Sequence, residues 1–278
     1  MNRFEVTQLG YLKIIDTHTH TDNSYDGHHS TMFLCESAES MGLRAVTFTD
    51  HVEVDYYERD NFHRVATQSY FEIAKARSAF RGKLLICTGV ELGQPMYDVK
   101  TAEMLLDTLK YDEVIASVHN LRGLPDFMYL DYNIMDVHEV LLDYFKEMQL
   151  MVDWGNFDTL AHLTYPLRYI QGDRGISVDI ARYSQQIDGL LLGLVRQGKA
   201  LEINTSGLRQ KLGETMPGEA VVCRFKELGG EYITIGSDAH FAKDLAAGVP
   251  EGMAMAQRCG FNAVTLYQKR VPIQIPIE

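Results

Sequence analysis

No stretch of this 278-residue chain reads as the roughly 18 consecutive apolar residues that a membrane-crossing helix needs, so a membrane span is not expected. The opening segment, Met1 to Lys13, lacks an apolar run ending in a small-residue cleavage site. No secretion signal is therefore expected, and the cytoplasm is the expected location. Cysteine is scarce: Cys35, Cys87, Cys223 and Cys259 are widely spaced and form no C-x-x-C pair. That argues for reduced, mostly buried thiols. Positive charge is also short, with 26 Lys and Arg against 38 Asp and Glu, a net charge of −12. An acidic surface repels a phosphate backbone, and no basic stripe with interleaved aromatics is present, so nucleic acid is not an expected partner. A small anionic substrate stays open, because bound metal ions reverse the local sign. A G-x-G-x-x-G after a strand-like run is missing, which disfavours a dinucleotide-binding sheet. Internal repeats, low-complexity tracts and linker-like composition shifts are missing too. A single domain over 1–278 is the expected organisation, since α/β barrels of roughly 200–250 residues form one domain. No heptad pattern indicates an oligomeric state.

What is present is alternation. Short apolar runs predict strands over Lys13–Thr17, Ala45–Thr49, Leu84–Glu91, Glu113–Val118, Thr159–Leu163, Ala200–Asn204 and Tyr232–Gly236. Longer amphipathic stretches between them predict helices over Met32–Met41, Thr67–Phe80, Val99–Leu109, Met135–Val152, Ser177–Gln197, Gly218–Leu228 and Pro250–Arg258. Gly42, Gly198 and Gly229 each follow a helical run, where a cap requires positive φ. Strand followed by helix, repeated, predicts a parallel α/β sheet closed or nearly closed into a barrel. Asn262–Leu266 is a candidate last strand, and Val271–Glu278 reads as an extended, proline-spaced tail.

The chemistry sits at the strand ends. Asp16-Thr17-His18-Thr19-His20 places two imidazoles two residues apart, hence on one side of a strand. Thr49-Asp50-His51 ends the second strand, Glu91 the third, His119 the fourth and His162 the fifth. Asp238-Ala239-His240 ends the last. Six of the seven predicted strands thus finish in His, Glu or Asp-x-His, and six of the ten histidines fall there. In α/β barrels the C-terminal strand ends converge on one rim. Imidazole with carboxylate suits zinc, iron or manganese. His28 and His29 lie in a loop after Gly27, and His63 and His138 read as structural.

These pieces, with the loop Ser24-Tyr25-Asp26-Gly27, resemble in type and order the polymerase and histidinol phosphatase (PHP) superfamily. They span Asp16 to His240, most of the chain. The resemblance implies a distorted seven-stranded β/α barrel with two or three divalent ions. It assigns His18, His20, Glu91 and Asp238 to one ion and Glu91, His119 and His162 to a second, with Glu91 bridging. Asp26, His51 and His240 would hold the third. Thr49-Asp50-His51-Val52-Glu53 and Leu201-Glu202-Ile203-Asn204-Thr205-Ser206-Gly207-Leu208-Arg209 look like the histidinol-phosphate phosphatase branch. On that basis Arg209 is the candidate phosphate ligand, with Arg168 as a weaker one, because a planar guanidinium matches phosphate oxygens. Glu53 is the candidate partner for a cationic group of histidinol.

The expected activity is hydrolysis of a small phosphate monoester, foremost L-histidinol phosphate in histidine biosynthesis, through attack by a metal-bridging hydroxide. Other substrates for the same metal site are nucleotides, nucleic-acid ends and phosphotyrosine. An amidohydrolase barrel also begins with H-x-H, but it typically bridges its metals with a strand-borne lysine. Glu91 and His119 occupy the middle strands here.

Overall fold

A computed structural model describes residues 14–277. The Met1–Lys13 segment, where no secretion signal is expected, lies outside the described residues, as do Lys13 of the first predicted strand and Glu278 of the tail. The elements run β1 (Ile15–Thr19), α1 (Thr31–Met41), β2 (Ala45–Phe48), β3 (His51–Glu53), α2 (Phe62–Ala79), β4 (Leu85–Gly93), α3 (Val99–Thr108), β5 (Glu113–Ser117) and α4 (Val137–Trp154). They continue with β6 (Thr159–Leu160), α5 (Ser184–Gln197), β7 (Ala200–Asn204), α6 (Glu219–Glu227), β8 (Ile233–Gly236), α7 (Val249–Arg258), β9 (Ala263–Gln268) and β10 (Val271–Pro276).

Seven strands pair in the order β1-β2-β4-β5-β6-β7-β8, with β3 added beside the upper half of β4. Every pairing among them is parallel. The ring is drawn together above β1 and β8, where Asp238 N–H donates to His18 O at 2.8 Å and His20 N–H to Ala239 O at 2.9 Å. This is a distorted seven-stranded β/α barrel. β2, β5, β7 and β8 are buried at every position, as strands covered on both faces must be. Phe48, Phe127, Tyr144, Phe145, Phe157 and Phe225 are among the largest fully buried side chains. Each such side chain contributes about 1.5–3 kcal/mol by leaving water.

Local signals account for the element ends. Ser30 caps α1 through its side chain, and Gly42 closes it in the left-handed region at φ 76°. Asp136 caps α4, accepting from His138 N and Glu139 N. Several details differ from the sequence expectation. The stretch from Ser177 opens as a 3-10 turn, Ile180–Tyr183, before α5 begins. β3 is an additional three-residue strand. The tail is not merely extended: β10 pairs antiparallel with β9, and the hairpin tip, Lys269–Arg270, packs under the barrel, where both N–H groups donate to Asp112.

The expectation of four reduced thiols is corrected as well. Cys223 on α6 and Cys259 at the end of α7 form a disulfide, while Cys35 and Cys87 are free and buried. The two partners stand 36 residues apart in sequence and meet only because the last two helices lie side by side. Among the described residues no helix is long and apolar enough to cross a membrane.

Candidate metal centre

The upper strand ends deliver their polar side chains to one cavity of about 770 Å³, lined among others by His51, Glu91, His119, His162, Asp238 and His240. Glu91 is at its centre, because β4 is the longest strand and carries it above the ring. One oxygen, Oε2, is 3.3 Å from His18 Nε2, 3.5 Å from His20 Nε2 and 2.9 Å from His51 Nδ1. The other, Oε1, is 3.0 Å from His119 Nε2 and 2.8 Å from His162 Nε2. Asp238 Oδ1 closes the first group at 3.7 Å from His18 and 3.3 Å from His20. A third group lies beside it: Asp26 is 3.6 Å from His51 Nε2 and 3.0 Å from His240 Nε2. All nine residues proposed from sequence are thus brought to one site.

Neighbouring residues fix which nitrogen of each ring points inward. His18 Nδ1 donates to Glu202 Oε1 at 2.6 Å. Ser24 Oγ donates to Asp50 Oδ1 at 2.7 Å and so accepts from His20 Nδ1 at 3.1 Å. His119 Nδ1 donates to Glu53 Oε1 at 2.9 Å, and His240 Nδ1 to Asp238 O at 3.0 Å. The inward Nε2 atoms therefore carry lone pairs, and those of His18 and His20 face each other at 3.1 Å. Two lone pairs at that distance repel unless a cation lies between them. Asp26 Oδ1, His51 Nδ1 and His240 Nε2 are buried without a formed hydrogen bond. The donor set, imidazole nitrogens sharing carboxylate oxygens, fits two or three divalent ions of the zinc, iron or manganese type.

Without an ion, protonation relieves the crowding only in part. Burial opposes charge on His18, but Glu202, Glu91 and Asp238 together hold it well above its ordinary value. His119 is raised likewise against burial by Glu53 and Glu91, and His51 is raised to about 9, chiefly by Glu91. His20 is pushed down to about 3 by burial and by His240 and His51. Glu91 and Asp238 lie well below the carboxylate range despite burial, because imidazoles surround them.

Several supporting residues were missed in the sequence or read differently. Glu202 is fully buried, holding His18 Nδ1 and, at 2.7 Å, the backbone N–H of His162. An acid inside the apolar run Leu201-Glu202-Ile203 was the available signal. Gly236 makes room for it: a Cβ there would lie 2.3 Å from His18 Cβ and 2.5 Å from Glu202 Oε1. Asp50 is an anchor, accepting from Thr21, Ser24 and Ser69. Glu53, the candidate partner for a cationic group, lines the cavity; its Oε1 serves His119 and its Oε2 accepts from Gln94 at 2.8 Å, so it also orients a ring.

Arg209 lines the cavity, but Nη1 donates to Ser237 O at 2.6 Å and Nη2 to Asp238 O at 2.8 Å. Those bonds clamp the backbone of Asp238, which sits in the left-handed region at φ 54°. Arg168, the weaker candidate, is the freer guanidinium. It lines the same cavity and has no hydrogen-bond or ion-pair partner among the described residues. His28 reaches the cavity edge, stacked on Phe241 at 3.9 Å. His29 lies against Phe33, His63 beside Tyr57, and His138 bonds Tyr183.

Comparison with known proteins places these observations in a family. A probable histidinol-phosphatase of Clostridium acetobutylicum is 30% identical over 93% of this chain and 98% of its own length. One of Thermotoga maritima is 29% identical over 93% of this chain and 97% of its own. A histidinol phosphate phosphatase of Lactococcus lactis, solved with zinc, L-histidinol and phosphate, has the same fold. Its TM-score is 0.81 at 24% identity, covering 94% of this chain and 99% of that one. The family model described as the PHP domain matches residues 16–206, from the first strand to just beyond β7, and the chain belongs to that family.

Proposed function

We propose that this chain is a metal-dependent phosphoric monoester hydrolase that converts L-histidinol phosphate to histidinol and phosphate, a step of histidine biosynthesis in the cytoplasm. The observation that carries the reading is Glu91, with one oxygen turned to His18 and His20 and the other to His119 and His162. A shared carboxylate between imidazole clusters is the arrangement that holds neighbouring divalent ions, and a glutamate rather than a lysine occupies it. His18, His20, Glu91 and Asp238 form one ligand group, Glu91, His119 and His162 a second, and Asp26, His51 and His240 a third. When bound, such ions acidify a water for attack and offset phosphoryl charge.

The chain's own residues then do the rest. Glu202, Ser24, Glu53 and the Asp238 carbonyl hold four rings in the tautomer that points Nε2 inward. Arg168 takes phosphate oxygens with its unengaged fork, and Arg209 adds its remaining N–H groups while fixing Asp238. The histidinol phosphate assignment rests on the names of the Clostridium and Thermotoga relatives, which align over 93% of this chain. A pocket of about 770 Å³ and a net charge of −12 favour a small substrate over nucleic acid. We read residues 1–278 as one such domain.

The test is phosphate release by protein loaded with zinc, manganese or iron. The panel contains histidinol phosphate, nucleoside monophosphates and phosphotyrosine. A kcat/KM highest for histidinol phosphate is expected. Preference for another ester would move the substrate, and no metal-stimulated release from any ester would overturn the hydrolase reading. Solvent-oxygen labelling with inversion at phosphorus is expected, and a trapped phospho-residue would refute direct attack by water.

A further inference from the structure

Histidinol phosphate carries an amine on the carbon next to its esterified carbon, so a site selective for it needs an anion beside the phosphate pocket. Most cavity carboxylates are already engaged. Asp26, Glu91 and Asp238 face imidazoles, Glu53 serves His119 and Gln94, and Asp60 is ion-paired with Arg59. Asp126 and Asp244 also line the cavity and have no cationic partner among the described residues.

The two differ in how they are held. Asp126 Oδ1 accepts from Met128 N–H at 2.7 Å, and Oδ2 accepts from Tyr165 O–H at 3.2 Å. The Tyr165 ring lies with its centroid 5.0 Å from that of His119 and 4.9 Å from that of His162. Asp126 is therefore one tyrosine away from the second imidazole group. It rides on the loop that leaves β5 through His119, and Phe127 N–H ties that loop back to His119 O at 3.1 Å. Each Asp126 oxygen keeps a lone pair, and the carboxylate cannot swing away. Asp244 lies on the far side, past His240, and its side chain makes no hydrogen bond among the described residues. A carboxylate fixed in advance loses little entropy on pairing, whereas a free one must be ordered first.

We propose that Asp126 selects the substrate by pairing with the ammonium group of the leaving alcohol, with Tyr165 holding the carboxylate in place. This inference rests on the histidinol phosphate reading of the site. It makes the enzyme prefer phosphate esters that bear a cation next to the ester carbon over neutral esters of equal size.

The experiment uses the metal-loaded full chain, Asp126→Asn, and Asp244→Asn as the comparison. Each is assayed on histidinol phosphate, on the analogue lacking the amine, and on p-nitrophenyl phosphate. For Asp126→Asn we expect KM for histidinol phosphate to rise about tenfold to a hundredfold, the effect of losing one charged hydrogen bond. Its kcat/KM on the two esters without an amine should stay within about twofold of the parent, which also reports an intact fold and metal site. The parent should disfavour the amine-free analogue by the same factor, and Asp126→Asn should treat the two esters alike. Equal losses on all three substrates, or a selective loss in Asp244→Asn instead, would overturn the proposal. A parent that ignores histidinol phosphate while hydrolysing other esters would sink the substrate reading itself, and this inference with it.

Discussion

Replacing Glu202 with glutamine tests the geometry most directly, because the shape is kept while one acceptor and the charge are lost. Glu202 now uses both oxygens: Oε1 takes His18 Nδ1–H at 2.6 Å, and Oε2 takes His162 N–H at 2.7 Å. A glutamine can satisfy only one of them as acceptor. The backbone N–H of His162 cannot adapt, so the amide oxygen stays there and the –NH2 turns toward His18. His18 then accepts on Nδ1 and carries its proton on Nε2, the atom that faces His20 and Glu91. A protonated Nε2 is no longer a ligand. Carboxylates that orient a ligating imidazole are typically worth 10–100-fold in metal affinity or activity. That range corresponds to about 1.4–2.8 kcal/mol. The assay is zinc affinity by chelator competition, with kcat/KM on a phosphate ester measured at saturating metal. Thermal unfolding in chelator provides the control for the bare fold. Unchanged affinity together with unchanged turnover would show that Glu202 does not set the His18 tautomer, and the outward-to-inward logic drawn for the other rings would lose its footing.

Other perturbations have equally definite outcomes. Arg168→Met should raise KM for phosphate esters and weaken inhibition by inorganic phosphate about tenfold or more, whereas Arg209→Met should also reduce metal affinity by releasing Asp238; equal effects of both on phosphate alone would refute the division. The metal-free protein holds His51 at about 9, against an ordinary 6.5. Its paired form therefore stabilises the fold fully below about 6.5, and that contribution fades as pH rises through about 9. Ion binding must expel the same proton, so zinc affinity should climb with pH up to that point, and calorimetry in buffers of different ionisation heat should register proton release at pH 7.5. A pH-independent affinity would contradict this. Reducing Cys223–Cys259 opens a loop with a sequence separation of 36 residues. Chain entropy predicts a stability loss of at most about 4 kcal/mol, read as a lower unfolding midpoint in reductant.

The barrel was legible because each parallel strand is a short apolar run and each crossover a longer amphipathic one. The site was legible because polar residues ending such runs have little structural reason to recur. What escaped the sequence was non-local or too short. β3 is three residues long, formed only because Glu91 and its neighbours extend past the ring to pair with it. β10 contains Pro272 and Pro276, which discourage a strand reading; it pairs along a single side, with β9, where missing N–H groups are tolerated. The expected strand at Thr159–Leu163 stops at Leu160, freeing His162 to turn inward. The disulfide joins two helices whose proximity is a property of the closed barrel. Glu53, Glu202 and Asp50 were visible as residues, but which group each one holds depends on contacts 19 to 184 positions away.

Because Glu91 turns one oxygen to each of two imidazole groups, ions bound by those groups would not be titrated as strangers. The first to arrive would fix the carboxylate's rotation and offset part of its charge, so the second would meet an altered ligand. A loading curve for this chain should depart from a sum of separate isotherms, and a substitution at Glu91 should cost both ions together.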